Sequence, residues 1–165
     1  MPLPRVSIQA EDFDLAREVE ALHRDKPGTG AIASFVGVVR EAASGSALAA
    51  LELEHYPGMT ERAIESMIDE AHARFDIRAA RVIHRVGILR LQEQIMMVAV
   101  ASAHRHAAFQ ACEFLMDYLK TQAPFWKKEI GVDGSARWVD ARAEDDQALR
   151  RWGVRTDDNA DSAPR

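Results

Sequence analysis

Residues 95–129, IMMVAVASAHRHAAFQACEFLMDYLKTQAPFWKKE, decide the fold because they place an apolar strand, a long helix and a second strand in succession. The opening run IMMVAVA is apolar throughout, which is typical of a strand buried at the centre of a sheet. We predict that the helix begins at Ser102 or Ala103 and ends near Thr121, because Pro124 cannot continue it. Its predicted buried stripe consists of Ala108, Ala111, Cys112, Leu115, Met116 and Leu119.

Apolar periodicity along the rest of the chain predicts a mixture of strands and helices. Strands are predicted over residues 5–9, 31–40, 48–56, 79–87 and 94–102, followed by a hairpin of residues 126–132 and 137–140. Helices are predicted over residues 13–23 and 60–75, with Asp12 and Thr60 as their N-caps. Because the elements do not alternate in a regular β–α–β rhythm, the pattern favours a layered α+β protein over a doubly wound sheet.

The strand predicted over residues 31–40 contains Gly37, which suggests a bulge or a close approach of another group to the backbone. The small-residue segment EAASGSA, residues 41–47, connects it to the strand over residues 48–56. We expect these two strands to pair with each other.

The composition describes one folded domain. The chain has 165 residues, 47% of them hydrophobic and 28% charged, which suffices for a substantial core. A net charge of −5 argues against a general nucleic-acid binder. No apolar run approaches the roughly 18 residues that a membrane span needs, and a single cysteine suits a reducing compartment. We expect a cytoplasmic protein with a domain over residues 1–152 and a disordered polar tail over residues 153–165.

Positive charge concentrates in residues 104–129, although the whole chain carries 21 basic against 26 acidic side chains. Basic groups around an apolar helix are what a pocket for an anionic substrate requires. The basic side chains concerned are Arg105, Lys120, Lys127 and Lys128, together with the histidines at positions 104 and 106.

Lys120 is the candidate nearest the chemistry. It follows Met116 and Cys112 at intervals of one helical turn, so it extends an apolar stripe towards the end of the helix. Desolvation there would favour the neutral amine, which acts as a base or nucleophile. The more common role of a lysine at a helix end is that of a solvated charge that complements the helix dipole.

Lys127 and Lys128 follow the Pro124 turn, so the chain can fold back and bring one of them to Lys120. Alternation along a strand puts their side chains on opposite faces, and we assign the inward position to Lys127. The alternative is a solvated edge strand protected by charge.

His104 and Arg105 fall at the start of the long helix, where unpaired backbone amides favour an anion. Arg105 can hold a phosphate or carboxylate with two parallel hydrogen bonds, while His104 can supply a hydrogen bond or a proton. Without further context, a satisfied surface or core histidine is an equally good interpretation of His104.

The sequence predicts no metal or cofactor site. His104 and His106 lie two residues apart on a presumed helix, which does not match a zinc motif, and GTG at residues 28–30 is too short for a phosphate loop. Cys112 lies mid-helix among apolar residues, where a thiol behaves as a small hydrophobe.

Several motifs resemble one known family. They are EHYPGMTE (54–61), VIHRVG (82–87), SAHR (102–105), MDYLKTQAPFWKKE (116–129) and WVDAR (138–142). Over about residues 5–152 the chain resembles the large, catalytic subunit of molybdopterin synthase. The resemblance implies an α/β hammerhead fold with a mixed or antiparallel sheet and about three main helices.

The resemblance also implies a reaction and its partners. In this family two sulfurs pass from the thiocarboxylated C-terminus of a small ubiquitin-like subunit to cyclic pyranopterin monophosphate. The product carries the dithiolene of molybdopterin. The implied assembly is a homodimer of the large subunit within a heterotetramer.

The implied site residues follow from matching positions. Lys120 and Lys127 resemble the central lysines of the family, and the substrate-binding positions are Val38, Val39, Arg40, His104, Arg105, Lys120, Lys127, Lys128 and Glu129. Val38 stands where family members can carry a lysine, so position 38 could contribute only its backbone. Phe35, Met116 and Arg142 are candidates for the pocket wall, although a phenylalanine on a strand is more commonly a core residue.

Two other functions remain open from the residues alone. One is a non-catalytic module that holds a phosphorylated ligand or a protein C-terminal tail in the same basic pocket. The other is a thioesterase or acyltransferase that uses Cys112 with a histidine.

Overall fold

The computed structural model describes residues 3–41, 47–139 and 143–154, the side chains of residues 143–146 excepted. The strands are β1 (Val6–Gln9), β2 (Ala31–Val38), β3 (Leu48–His55), β4 (Ile77–Arg85), β5 (Gly87–Arg90), β6 (Gln94–Ser102), β7 (Phe125–Gly131) and β8 (Ala136–Val139). The helices are α1 (Leu15–His23), α2 (Met59–Arg74), α3 (Arg105–Gln122) and α4 (Ala143–Arg150). Among these helices, none combines the length and apolar character needed to cross a membrane.

The first sheet has the order β1-β4-β6-β2 and is mixed, because β1 runs parallel to β4 while the other neighbours are antiparallel. The central position predicted for the apolar run is confirmed. Residues of β6 alternate between two buried faces: Met97, Ala99 and Ala101 pack with α1 residues, whereas Val98 and Val100 pack with residues of α2 and α3. The predicted bulge is also confirmed, since the β2–β6 register shifts between Gly37 and Val38.

The second sheet has the order β5-β3-β7-β8 and is antiparallel throughout. The predicted pairing of β2 with β3 is therefore wrong. Alternation identified both strands correctly, but the partner is chosen by packing: Leu51 and Leu53 join Val39 and Leu89 in a separate buried cluster. Strand β5, which was not predicted, begins at Gly87, where a φ of +89° separates it from β4.

Two predicted N-caps are wrong. Helix α1 is capped by Asp14, whose carboxylate accepts a hydrogen bond from the Arg17 amide, while Asp12 accepts from Gln94 and from the Phe13 amide. Helix α2 is preceded by Gly58 at φ +82°, a conformation that glycine adopts at little cost. Thr60 instead lies inside the helix with a fully buried side chain.

A fourth helix, α4, was not predicted. It packs along α3, and Leu149 is fully buried. Beyond it, the Trp152 ring makes edge-to-face contacts with Phe75 and Phe114 at 5.8 and 5.6 Å. Val154 is packed against the same core. Most of the predicted tail, residues 155–165, lies outside the described residues.

Candidate active site

Helix α3 separates the predicted site residues into two groups. It runs from the end of β6 back across β2 and β6, so its two ends lie at opposite ends of the first sheet. At 1.5 Å per residue, the rise from Arg105 to Lys120 is about 22 Å. A small substrate cannot contact both ends of α3 in one chain.

The first group, His104 and Arg105, lies where β2 begins opposite Ser102. Both side chains are exposed, and His104 is the N-cap without using its side chain as a cap. No acidic residue occupies the first turn of the helix. The helix dipole and the Arg105 guanidinium therefore both favour a negatively charged group here.

The second group lies around His84 at the opposite end of the sheet. The His84 ring stacks on Phe125, with centroids 3.8 Å apart and planes inclined by 19°. The pKa of His84 is lowered to about 4, mainly by burial and in part by the positive charge of Lys120 on α3. Because its Nδ1 donates to the Arg85 carbonyl at 2.8 Å, the neutral ring keeps Nε2 as an acceptor.

His55 belongs to the same group. It lies opposite Phe125 in the β3–β7 register, and its Nε2 is 3.5 Å from Glu61 Oε1. Neither His55 nor His84 was predicted as a site residue. Both lie within quoted family motifs, and a histidine inside the apolar strand β4 was the feature that could have identified His84.

Strand β7 separates the two adjacent lysines onto opposite faces. Lys127 lies opposite Leu53, which is 5% exposed and belongs to the buried cluster with Val39 and Leu89. Lys127 therefore lies on the same face of β7 as Phe125, towards this cluster. Lys128 lies on the other face, where its Nζ is 3.3 Å from Glu52 and 4.8 Å from the Trp138 ring centroid. The edge-strand alternative is wrong, because β7 lies between β3 and β8.

Lys120 itself is exposed in the single chain. The desolvation expected from its apolar stripe is therefore not provided by this chain alone. Its charge nevertheless acts on the His84–Phe125 stack, and Lys127 lies on the face of β7 that carries Phe125. That both ammonium groups reach one site stays a prediction.

The segment Val38–Arg40 lies at the Lys120 end of the first sheet. Val38 is 47% exposed, whereas Val39 is buried and exchanges backbone hydrogen bonds with Gln92 and Glu93. Arg40 is exposed beside them. Glu129 faces inward on β7 and accepts a hydrogen bond from Arg137 at 3.1 Å. Arg142 lies outside the described residues.

A groove of about 370 Å³ runs between β2 and the middle of α3. It is lined by Ala33, Ser34, Phe35, Phe109, Cys112, Glu113 and Met116. The core alternative for Phe35 is wrong, since this side chain is 43% exposed on the groove wall. The pKa of the Cys112 thiol is raised to about 11, mainly by burial and in part by the neighbouring Glu113 carboxylate. A thiol in this state is a poor nucleophile.

The fold defines an α+β protein with two four-stranded sheets, and solved structures share this fold. A solved MoaE protein from Burkholderia ambifaria superposes with a TM-score of 0.79 at 54% identity, covering 93% of this chain and 100% of that one. A molybdopterin synthase from Staphylococcus aureus superposes with a TM-score of 0.78 at 29% identity, covering 84% and 98%.

Sequence comparison gives the same result. The molybdopterin synthase catalytic subunit of Ralstonia nicotianae is 56% identical over 161 residues, which cover 98% of this chain and 90% of the relative. The family model described as MoaE protein matches residues 8–122. The chain belongs to the MoaE protein family.

Proposed function

We propose that this protein is the catalytic subunit of a molybdopterin synthase in molybdenum cofactor biosynthesis. As a sulfurtransferase it takes sulfur from the thiocarboxylated C-terminus of a small ubiquitin-like subunit. It delivers two sulfurs to cyclic pyranopterin monophosphate, in the cytoplasm. The proposal is supported, in a chain of this family, by the action of the Lys120 charge on His84, which stacks on Phe125, and by the position of Lys127 on the same face of β7 as Phe125.

The two lysines suit chemistry at the thiocarboxylate. Transfer of its sulfur develops negative charge at the acyl group, and preorganised cations stabilise that charge. Lys127, on the inward face of β7, balances the charge, while Lys120 acts at the acyl and sulfur-transfer centre. Lys128 is engaged by Glu52 on the outer face of the sheet and takes a lesser part.

Binding of the anionic pterin requires the second cationic group, which consists of His104 and Arg105. His104 and Arg105 lie about 22 Å along α3 from Lys120, given a rise of 1.5 Å per residue. We therefore propose a homodimer in which one chain supplies Lys120 and Lys127 and its partner supplies His104 and Arg105 to the same pocket. With one small subunit per large subunit, the assembly is a heterotetramer. The partner chain would also cover Lys120, which is exposed in the single chain.

Reconstitution tests this function. The purified chain, mixed with thiocarboxylated small subunit and cyclic pyranopterin monophosphate, should form molybdopterin, which is measured as its fluorescent oxidation product. Lys120→Ala should lower the rate by about 100-fold or more, as expected for the loss of a group that stabilises transition-state charge. Lys26→Ala, in the turn after α1, is the matched control and should keep full activity.

Two results would contradict different parts of this proposal. Full activity of a folded Lys120→Ala protein would remove the proposed role of this residue. Thermal stabilisation by the precursor without any product would instead favour the non-catalytic binding module.

A further inference from the structure

Two of the family motifs, EHYPGMTE (54–61) and VIHRVG (82–87), supply neither of the proposed catalytic lysines. In the fold, both motifs converge on the turn between α3 and β7. This turn consists of Ala123 and Pro124 together with Phe125, the first residue of β7, and it joins the helix that carries Lys120 to the strand that carries Lys127. The two motifs therefore act on the connection between the lysines.

Thr60, from the first motif, holds the middle of the turn. Its hydroxyl donates to the Pro124 carbonyl at 3.0 Å and accepts from the Tyr56 amide at 3.0 Å. The residue is fully buried, so water cannot replace either bond. One hydroxyl thus ties the end of β3 and the start of α2 to the turn.

His84, from the second motif, holds the next residue of the turn. Its ring lies flat on Phe125 at 3.8 Å, and the bond from Nδ1 to the Arg85 carbonyl fixes the orientation of the ring. Phe125 is further restrained by its own amide, which donates to the Ala123 carbonyl at 2.9 Å. The turn is therefore held at Pro124 by a hydrogen bond and at Phe125 by a stacked ring.

We propose that Thr60 and His84 are positioning residues of the sulfur transfer, which clamp the Ala123–Phe125 turn and thereby set the placement of Lys127 relative to Lys120. The proposal rests on the function proposed above. The turn is the direct covalent link between the two lysines, so a loosened turn lets one lysine move against the other. Displacement of a catalytic group by about 1 Å can lower a rate by about 100-fold.

Substitutions that remove one contact at a time test whether Thr60 and His84 clamp the turn. Thr60→Val removes the hydroxyl but keeps a branched side chain, and it should lower kcat about tenfold or more while KM for the precursor changes less than about threefold. Thr60→Ser restores the hydroxyl and should recover most of kcat. His84→Phe keeps a flat ring on Phe125 and should retain more activity than His84→Ala.

Ser7→Ala is the matched control. The Ser7 hydroxyl accepts a hydrogen bond from Arg81 at 2.9 Å on the α1 side of the first sheet, away from the turn. This variant should lose some thermal stability but keep kcat. If Ser7→Ala lowers kcat as much as Thr60→Val at equal loss of stability, the effect is general destabilisation and the clamp is rejected.

A measurement that does not depend on enzymatic activity tests the clamp independently of the proposed function. Hydrogen exchange followed by mass spectrometry should show faster exchange over residues 123–127 in Thr60→Val and His84→Ala, with little change elsewhere. Faster exchange in these variants together with wild-type kcat would overturn the positioning role. If the wild-type protein forms no molybdopterin, but the two variants still exchange faster over residues 123–127, the proposed function is overturned and the clamp stays in place. If Thr60→Val does not fold, the comparison of His84→Ala with His84→Phe carries the same test.

Discussion

At the scale of single residues, His84 is a histidine that stays uncharged across the physiological pH range. Burial lowers its pKa from the ordinary 6.5 to about 4. In the unfolded chain the same ring is protonated below about pH 6.5. Between these values the unfolded state binds more protons than the folded state, so stability falls as the pH is lowered.

The protein should therefore be less stable at pH 4.5 than at pH 7, with His84 contributing up to about 3 kcal/mol at about 1.4 kcal/mol per pKa unit. Urea unfolding at both pH values measures the loss. In His84→Phe the loss should be clearly smaller, although His72, whose pKa burial also lowers, leaves a residual effect. An equal loss in wild type and His84→Phe would contradict the assignment.

Cys112 illustrates the opposite shift. Its pKa is raised from 9.0 to about 11, so the thiolate fraction at pH 8 is about 100-fold lower than for an ordinary thiol. Iodoacetamide should label the folded protein at least about 100-fold more slowly than the urea-unfolded chain. Intact-mass spectrometry follows the reaction. Rapid labelling of the folded protein, with parallel loss of activity, would support the thioesterase alternative instead.

At the scale of elements, local periodicity predicted where most strands and helices lie, because burial alternates with a period set by each backbone conformation. It did not predict α4, β5 or the partners of β3. A strand as short as β5, Gly87–Arg90, contains too few residues to establish a pattern. The N-cap of α2 was missed for another reason, since Gly58 has no side chain that could act as a cap. The side chain that marks this helix start is that of Glu61, whose carboxylate accepts a hydrogen bond from the Gly58 amide at 2.6 Å.

The junction between β6 and α3 depends on Gly30. Its amide donates to the Ser102 carbonyl at 2.9 Å, and a Cβ at this position would lie 2.3 Å from the Ala103 carbonyl oxygen. Gly30→Ala should cost about 1–3 kcal/mol of unfolding free energy, because backbone must move to accept the methyl group. Since His104 follows directly, we also expect weaker binding of the precursor.

Gly28→Ala is the matched control in the same turn. Its Cβ would meet only the flexible Arg78 side chain, at 3.5 Å. Its unfolding free energy should stay within about 0.5 kcal/mol of wild type. Chemical denaturation of both variants tests the difference, and equal stability of the two would show that the β6–α3 junction tolerates the added methyl group.

At the scale of the whole molecule, the two cationic groups lie at opposite ends of α3. If each pocket combines both groups from different chains, two inactive variants should complement each other. Mixed dimers of Lys120→Ala and Arg105→Ala contain one pocket with both defects and one pocket with neither. At equal amounts and free exchange, activity should recover to about a quarter of wild type, because half of the dimers are mixed and half of their pockets are intact.

Molybdopterin formation after subunit exchange measures this recovery. A mixture of Lys120→Ala with a Lys120→Ala/Arg105→Ala double variant is the control and should stay inactive. Absence of recovery in the first mixture, with mixed dimers demonstrated by native mass spectrometry, would show that each pocket is built from one chain.

The sequence by itself determined the α+β class, the central strand β6, the long helix α3 and the opposite orientations of Lys127 and Lys128. These features follow from local periodicity and from the alternation of a strand. Tertiary structure alone decided that β3 joins a second sheet, that His55 and His84 gather beside Lys120, and that Arg105 lies at the far end of α3 from Lys120. The physical reason is that these relations depend on packing between residues distant in sequence, and no local pattern encodes which buried faces will meet.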